Sequence, residues 1–187
     1  DQQLDHLIIG DRSGRIVKKP LRFVRHLTGN TQSINALAFH PNNQTLFTAA
    51  QDGSLRGYSI ASGQQTFATS HGAAIHTLTI TPNQQVLLTG GENAVVRLWQ
   101  INGSPYGPQQ ISGLGGPVKC VAVSGDNSRV IVAVAGEKPR TTVYNLTNAT
   151  PLQLSTLNRQ PLIGLAVLAA TQTPSSPESI LSISADA

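Results

Sequence analysis

Five histidines, nine carboxylates and one cysteine are the groups in this chain best able to ligate, titrate or attack. Their spacing assembles no reactive centre. His71 and His76 could suggest a metal pair, but no carboxylate lies between them, and zinc needs three or four converging ligands. His6, His26 and His40 are scattered. The lone Cys120 excludes an internal disulfide framework and a cysteine-rich zinc module. It falls in a column of small residues, where a buried, inert thiol is expected; a reactive one requires a partly exposed, electropositive setting. No glycine-rich run joins a strand to a helix, so a phosphate cradle is not expected. Ser, His and carboxylate groups cannot be paired into a catalytic set from their positions. The expectation is no catalytic residue, no metal and no cofactor.

Charge is sparse but clustered. Arg12, Arg15, Lys18, Lys19, Arg22 and Arg25 supply six of the thirteen basic residues. One reading is a solvated outer strand whose charges discourage edge pairing. The other is an anion-binding stripe for nucleic acid, anionic lipid or an acidic partner. Phe23 is the stripe's one aromatic, which gives base stacking little support and favours the first reading.

Only 12% of the 187 residues are charged, against about 25% in typical domains. A solvated disordered tail is therefore excluded. No apolar run approaches the roughly 20 residues of a membrane-spanning helix, and no secretory signal pattern opens the chain. Asn43-Gln-Thr45, Asn102-Gly-Ser104, Asn145-Leu-Thr147 and Asn148-Ala-Thr150 fit the glycosylation acceptor pattern. Such matches arise easily in an Asn/Thr-rich chain and leave the compartment open.

Positioning of any site falls to a repeated unit. Ile34-Asn-Ala-Leu-Ala-Phe39, Ile75-His-Thr-Leu-Thr-Ile80, Val118-Lys-Cys-Val-Ala-Val123 and Leu162-Ile-Gly-Leu-Ala-Val167 begin 41, 43 and 44 residues apart. That spacing predicts one supersecondary unit repeated along the chain. Each of the first three segments is followed by Pro, Asn, Asp or Gly turn residues and a further apolar run, and no stretch sustains a helical period. The unit reads as four short antiparallel strands. In its first strand small side chains (Ala36, Ala38; Thr77, Thr79; Cys120, Ala122; Gly164, Ala166) alternate with large ones (Leu37, Phe39; Leu78, Ile80; Val121, Val123; Leu165, Val167). Alternate residues face opposite sides of a sheet. The pattern therefore predicts stacked sheets, the bulk of one filling the space left by its neighbour.

At Thr89-Gly-Gly-Glu-Asn-Ala-Val-Val-Arg-Leu-Trp99, preceded by Ser70-His71, the sequence resembles the WD-repeat family of β-propellers. The resemblance implies an all-β fold of four-stranded blades: whole blades over about 30–70, 71–113 and 114–157, and partial blades over 1–29 and 158–187. It also implies a buried structural hydrogen-bond set of His, Ser or Thr, turn Asp, and Trp. The second whole unit supplies His71, Thr89 and Trp99, with Asn93 where the family has Asp. The first supplies Thr48 and Asp52, with Asn30 in place of His and Tyr58 in place of Trp. The third has Leu114 and Tyr144 in the His and Trp positions.

The resemblance further implies a protein-interaction scaffold without chemistry of its own. Its candidate face includes Gln32, Ser33, Gln51, Ala74, Glu92, Lys138 and Arg159. Two alternatives stay open: a propeller that binds a ligand or carries an active site in its central channel, with His76 and Lys119 as candidate channel residues, and a regulatory or sensor appendage of a multidomain protein. With about four and a third periods, no methionine and both ends falling inside a unit, the expected partners include other proteins. They also include whatever closes the ring, either further blades of the same protein or a second copy.

Overall fold

The computed structural model describes residues 6–10, 16–20, 27–157, 162–168 and 179–184, with side-chain environments over 27–107 and 110–152. Every regular element among them is a β-strand. β1 (His6–Gly10) and β2 (Ile16–Pro20) form an antiparallel pair. Three four-stranded antiparallel sheets follow, each in chain order. The first is β3 (Ile34–Phe39), β4 (Thr45–Ala50), β5 (Ser54–Ser59) and β6 (Gln65–Ser70). The second is β7 (Ile75–Ile80), β8 (Val86–Gly91), β9 (Val96–Gln100) and β10 (Pro105–Ile111). The third is β11 (Val118–Val123), β12 (Arg129–Val134), β13 (Arg140–Asn145) and β14 (Pro151–Leu157). A final pair joins β15 (Leu162–Leu168) to β16 (Ser179–Ser184). No helix long and apolar enough to cross a membrane occurs among the described residues.

The repeat is visible in the turns. In all three sheets the turn between the first two strands is closed by the same pair of backbone bonds. Asn43, Gln84 and Asn127 donate to the carbonyls of His40, Thr81 and Ser124, while those residues' own N–H groups reach Thr45, Val86 and Arg129. The turn residue holds φ near +60° in each case, a conformation asparagine tolerates better than most side chains.

The first strands β3, β7, β11 and β15 lie side by side in chain order. The sheets stack with one apolar cluster in each space between them, because each sheet has a small-residue face and a bulky one. Ala36, Phe47, Ala49 and Leu55 of the first sheet meet Leu78, Ile80, Leu87 and Trp99 of the second. Val86, Leu88, Val96 and Leu98 of the second meet Val121, Val123, Val130 and Val132 of the third. Gly90 permits the second contact: a Cβ there would lie 2.4 Å from Val118 Cγ1. On β3 the equivalent bulky residues Leu37 and Phe39 are 57% and 61% exposed.

A β-bulge interrupts the start of every first strand. The register slips between Ile34 and Ala36, Ile75 and Thr77, Val118 and Cys120, and Leu162 and Gly164. Strict alternation would have put Asn35, His76 and Lys119 on the bulky face with Leu37, Leu78 and Val121. A bulge leaves one residue unpaired and re-aims its side chain, and these three are the residues released.

Candidate functional site

The three blades present the same end-loop arrangement. The loop before each first strand is tied to the segment after the second strand: Gln51 N–H donates to Ser33 O, Glu92 N–H to Ala74 O and Ala135 N–H to Pro117 O, at 2.8 to 2.9 Å. His71 N–H in turn donates to Gly53 O at 2.8 Å, which joins the loop before the second blade to the turn of the first.

Beneath this end lies a polar relay in the second blade. Trp99 Nε1–H donates to Thr89 Oγ1 at 2.8 Å. That leaves the threonine hydroxyl hydrogen for His71 Nδ1, 2.9 Å away. His71 Nε2 then carries the ring proton and donates to Asn93 Oδ1 at 3.1 Å. His71, Thr89 and Trp99 are buried, so each polar atom needs this partner. Asn93 lies exposed in the turn above, so burial is confined to three of the four members. The imidazole is packed under Gly91, where a Cβ would fall 2.5 Å from Nε2. Burial pushes the His71 pKa down to about 4, because the cation cannot be solvated there. The asparagine bond opposes that shift and the Arg97 charge adds to it.

The first blade rebuilds the relay from other groups. Asn30 takes the histidine's place: its Nδ2 donates to Tyr58 Oη at 3.2 Å, and its Oδ1 accepts from Thr48 Oγ1 at 3.3 Å. Tyr58 Oη–H continues to Thr28 O at 2.9 Å. Asp52 makes no direct bond to this set and meets it through Arg56, whose Nη1 also donates to Asn30 Oδ1. It accepts from Ser54 N–H at 2.9 Å, Ser54 Oγ–H at 2.5 Å and Thr31 Oγ1–H at 2.9 Å, and pairs with Arg56 at 3.9 Å. The Ser54 bonds are the main reason its carboxyl titrates below the usual range.

In the third blade the relay is gone. Leu114, Val132 and Tyr144 occupy the three buried positions inside one apolar cluster. The segment between β12 and β13 runs over 135–139, against 51–53 in the first blade, and Glu137 and Lys138 are exposed on it. Cys120 is buried beside Ala133, and desolvation raises its thiol pKa. That is the opposite of what a nucleophile needs.

The re-aimed bulge residues form a rim across the blades. Asn35 Nδ2 donates to Gln51 Oε1 at 2.9 Å and to Ile75 O of the next blade at 2.8 Å. His76 Nε2 lies 2.5 Å from Glu92 Oε2. Lys119 of the third blade lies 3.1 Å from His76 Nε2 and 3.6 Å from Glu92 Oε2. The His76 bond, followed by the Lys119 charge, holds the Glu92 carboxyl below its usual range.

Glu92 and Gln51 are thus joined to bulge residues, and sequence alternation missed Asn35 because a bulge leaves no mark in composition. Gln32 and Ser33 are exposed and Ala74 is half-buried. Arg159, Arg12, Arg15, Arg22 and Arg25 lie outside the described residues. Lys18 and Lys19 sit on β2 opposite Ile8 and Leu7. No group of three or more potential metal ligands occurs among the described residues.

The family model of the WD domain, G-beta repeat, matches residues 21–59 and 63–100. Two stretches of the chain, in its first and second sheets, thus match a WD repeat. Its fold is similar to solved WD40 propellers. The crystal structure of the RRP9 WD40 repeats aligns with a TM-score of 0.71 and 16% identity, over 83% of this chain and 53% of that one. The structure of U3-55K aligns with the same TM-score and identity, over 83% and 54%. This chain therefore spans about half the length of those structures, and at that identity the likeness concerns the fold. No curated protein matches the sequence. The two WD matches cover the blades that keep a polar relay and leave out the third blade, where Leu114 and Val132 have replaced it.

Proposed function

We propose that this WD-repeat segment is a non-catalytic protein-interaction scaffold. The observation that carries the reading is the repeated end-loop arrangement. Three blades hold their loops by equivalent backbone bonds and carry a polar rim that bridges neighbouring blades through Asn35–Ile75 O and through Lys119 with His76 and Glu92. A surface held by backbone bonds and buried relays loses little freedom on binding, which lowers the cost of association. Fold alone does not assign function. What supports a binding role here is the rim's mixture of donors and acceptors on fixed strands.

The test is retention of a protein partner by the full chain, with Lys119→Glu and Glu92→Lys as variants. Partner binding lost in both, with the melting temperature held, supports the scaffold. A partner bound equally by both variants moves the interface off this rim.

One observation favours a second reading, a propeller that takes a small ligand. His76, Glu92 and Lys119 converge at the inner strand ends, where a central-channel ligand would meet ionisable groups. A small molecule that raises the melting temperature of wild type but not of His76→Ala, in the absence of any protein, selects this reading.

A further inference from the structure

Arg56 and Arg97 occupy equivalent positions on the third strands of the first two blades, opposite Thr48 and Thr89 respectively. Arg56 is engaged through Nη1. Its Nη1 donates to Asn30 Oδ1 at 3.0 Å and to Ser54 Oγ, and it pairs with Asp52. In the second blade all three acceptors have changed. Asn93 stands for Asp52, Val95 for Ser54, and His71 for Asn30. Asn93 has no charge, Val95 no side-chain acceptor, and both ring nitrogens of His71 are committed to Thr89 and Asn93.

The consequence appears at Arg97. Its Nε is buried without a hydrogen-bond partner among the described residues. A buried donor in that state is costly, and more so on a charged group. Yet the guanidinium is within reach of the surface. The residue is only partly buried, and its Nη2 lies 3.8 Å from the position a Cβ would take on the exposed Gly72. Among the described residues, neither an aromatic face nor a carboxylate packs against it.

We propose that Arg97 is a recognition point for a carboxylate, supplied by an acidic side chain of a partner polypeptide that docks over Gly72 and Asn93. The planar guanidinium matches a carboxylate geometrically, and such charge-assisted bonds are the stronger class. The partner thus fills the place Asp52 takes beside Arg56. This deepens the scaffold reading and rests on it.

The direct readout is the side-chain Nε–H resonance of Arg97 in the 15N-labelled full chain, assigned by its disappearance in Arg97→Lys. Sodium acetate and then a hexaglutamate peptide are titrated at constant ionic strength, with hexaglutamine and sodium chloride as controls. The proposal expects a saturable shift with acetate and hexaglutamate and none with the controls. Asn93→Asp, which returns the internal carboxylate, should weaken the hexaglutamate response by about tenfold or more. Val95→Ser, which returns the hydroxyl, should weaken it less, and gives a second variant should Asn93→Asp fold poorly. No saturable shift, a shift with hexaglutamine, or an undiminished shift in both variants overturns the proposal. A protein partner bound equally by wild type and Arg97→Lys overturns it while leaving the scaffold reading intact. Hexaglutamate binding at Arg97 with no protein partner retained supports the site and counts against the scaffold.

Discussion

The second and third blades solve one packing problem in opposite ways. At three equivalent buried positions the second blade has His71, Thr89 and Trp99, joined by hydrogen bonds. The third has Leu114, Val132 and Tyr144 in an apolar cluster. Both arrangements are self-consistent. A buried polar group is tolerable when all its partners are present, and replacing the whole set by apolar groups can be nearly neutral. What neither blade can tolerate is half of the other's solution. The relay also brings a dependence on pH that the apolar set lacks.

The comparison breaks most severely at its midpoint. Thr89→Val orphans both His71 Nδ1 and Trp99 Nε1, and should cost roughly 4 kcal/mol from two buried unsatisfied groups. Chemical denaturation at pH 7 measures it; a loss below 1 kcal/mol would show that the relay contributes little.

Acid should affect the second blade next. Folded His71 stays neutral down to about pH 4, whereas the unfolded residue takes up its proton near 6.5. The folded-state pKa is depressed, so the contribution is complete above pH 6.5. It declines as pH falls toward 4, by on the order of 3 kcal/mol. The triple variant His71→Leu, Thr89→Val, Trp99→Tyr copies the third blade's set. It should remove that part of the slope in denaturation midpoints taken from pH 7 to 4. An unchanged slope would place the titrating group elsewhere.

The reciprocal change, Val132→Thr, puts a hydroxyl among apolar neighbours and should cost about 2 kcal/mol. Thermal melts of this variant beside Val132→Ala separate the polar penalty from the cavity. Equal stability of Val132→Thr and wild type would mean that the third blade accepts a partial relay. The rim should matter least to folding. Glu92→Gln removes a carboxylate that is 54% exposed and should cost under about 1 kcal/mol, as surface ion pairs usually do. A larger loss would turn the rim from a binding surface into a structural clamp between blades.

Much of this architecture was legible in the chain. The four first-strand segments, their turn residues and the alternation of small and bulky side chains anticipated the strands and the stacking of one sheet on the next. These follow from local rules: alternation has period two, and turns select a few residue types. The relay partners in the second blade came from the family resemblance and not from these local rules. The resemblance suggested Asp52 as a partner in the first relay; in the folded chain Ser54 and Thr31 hold it, and Arg56 links it to Asn30.

Sequence by itself therefore determined the repeat, the strand order within a blade, the faces that pack and the place where the relay turns apolar. Tertiary structure decided what no pairwise pattern encodes. Bulges lifted Asn35, His76 and Lys119 out of alternation and onto the rim, where Glu92 joined two of them across a blade boundary. The same strand position became a satisfied Arg56 in one blade and an unsatisfied Arg97 in the next. Backbone register depends on how strands pair across a sheet, and whether an arginine finds an acceptor depends on how turn and loop close around it, so both acquire meaning only once the chain is folded.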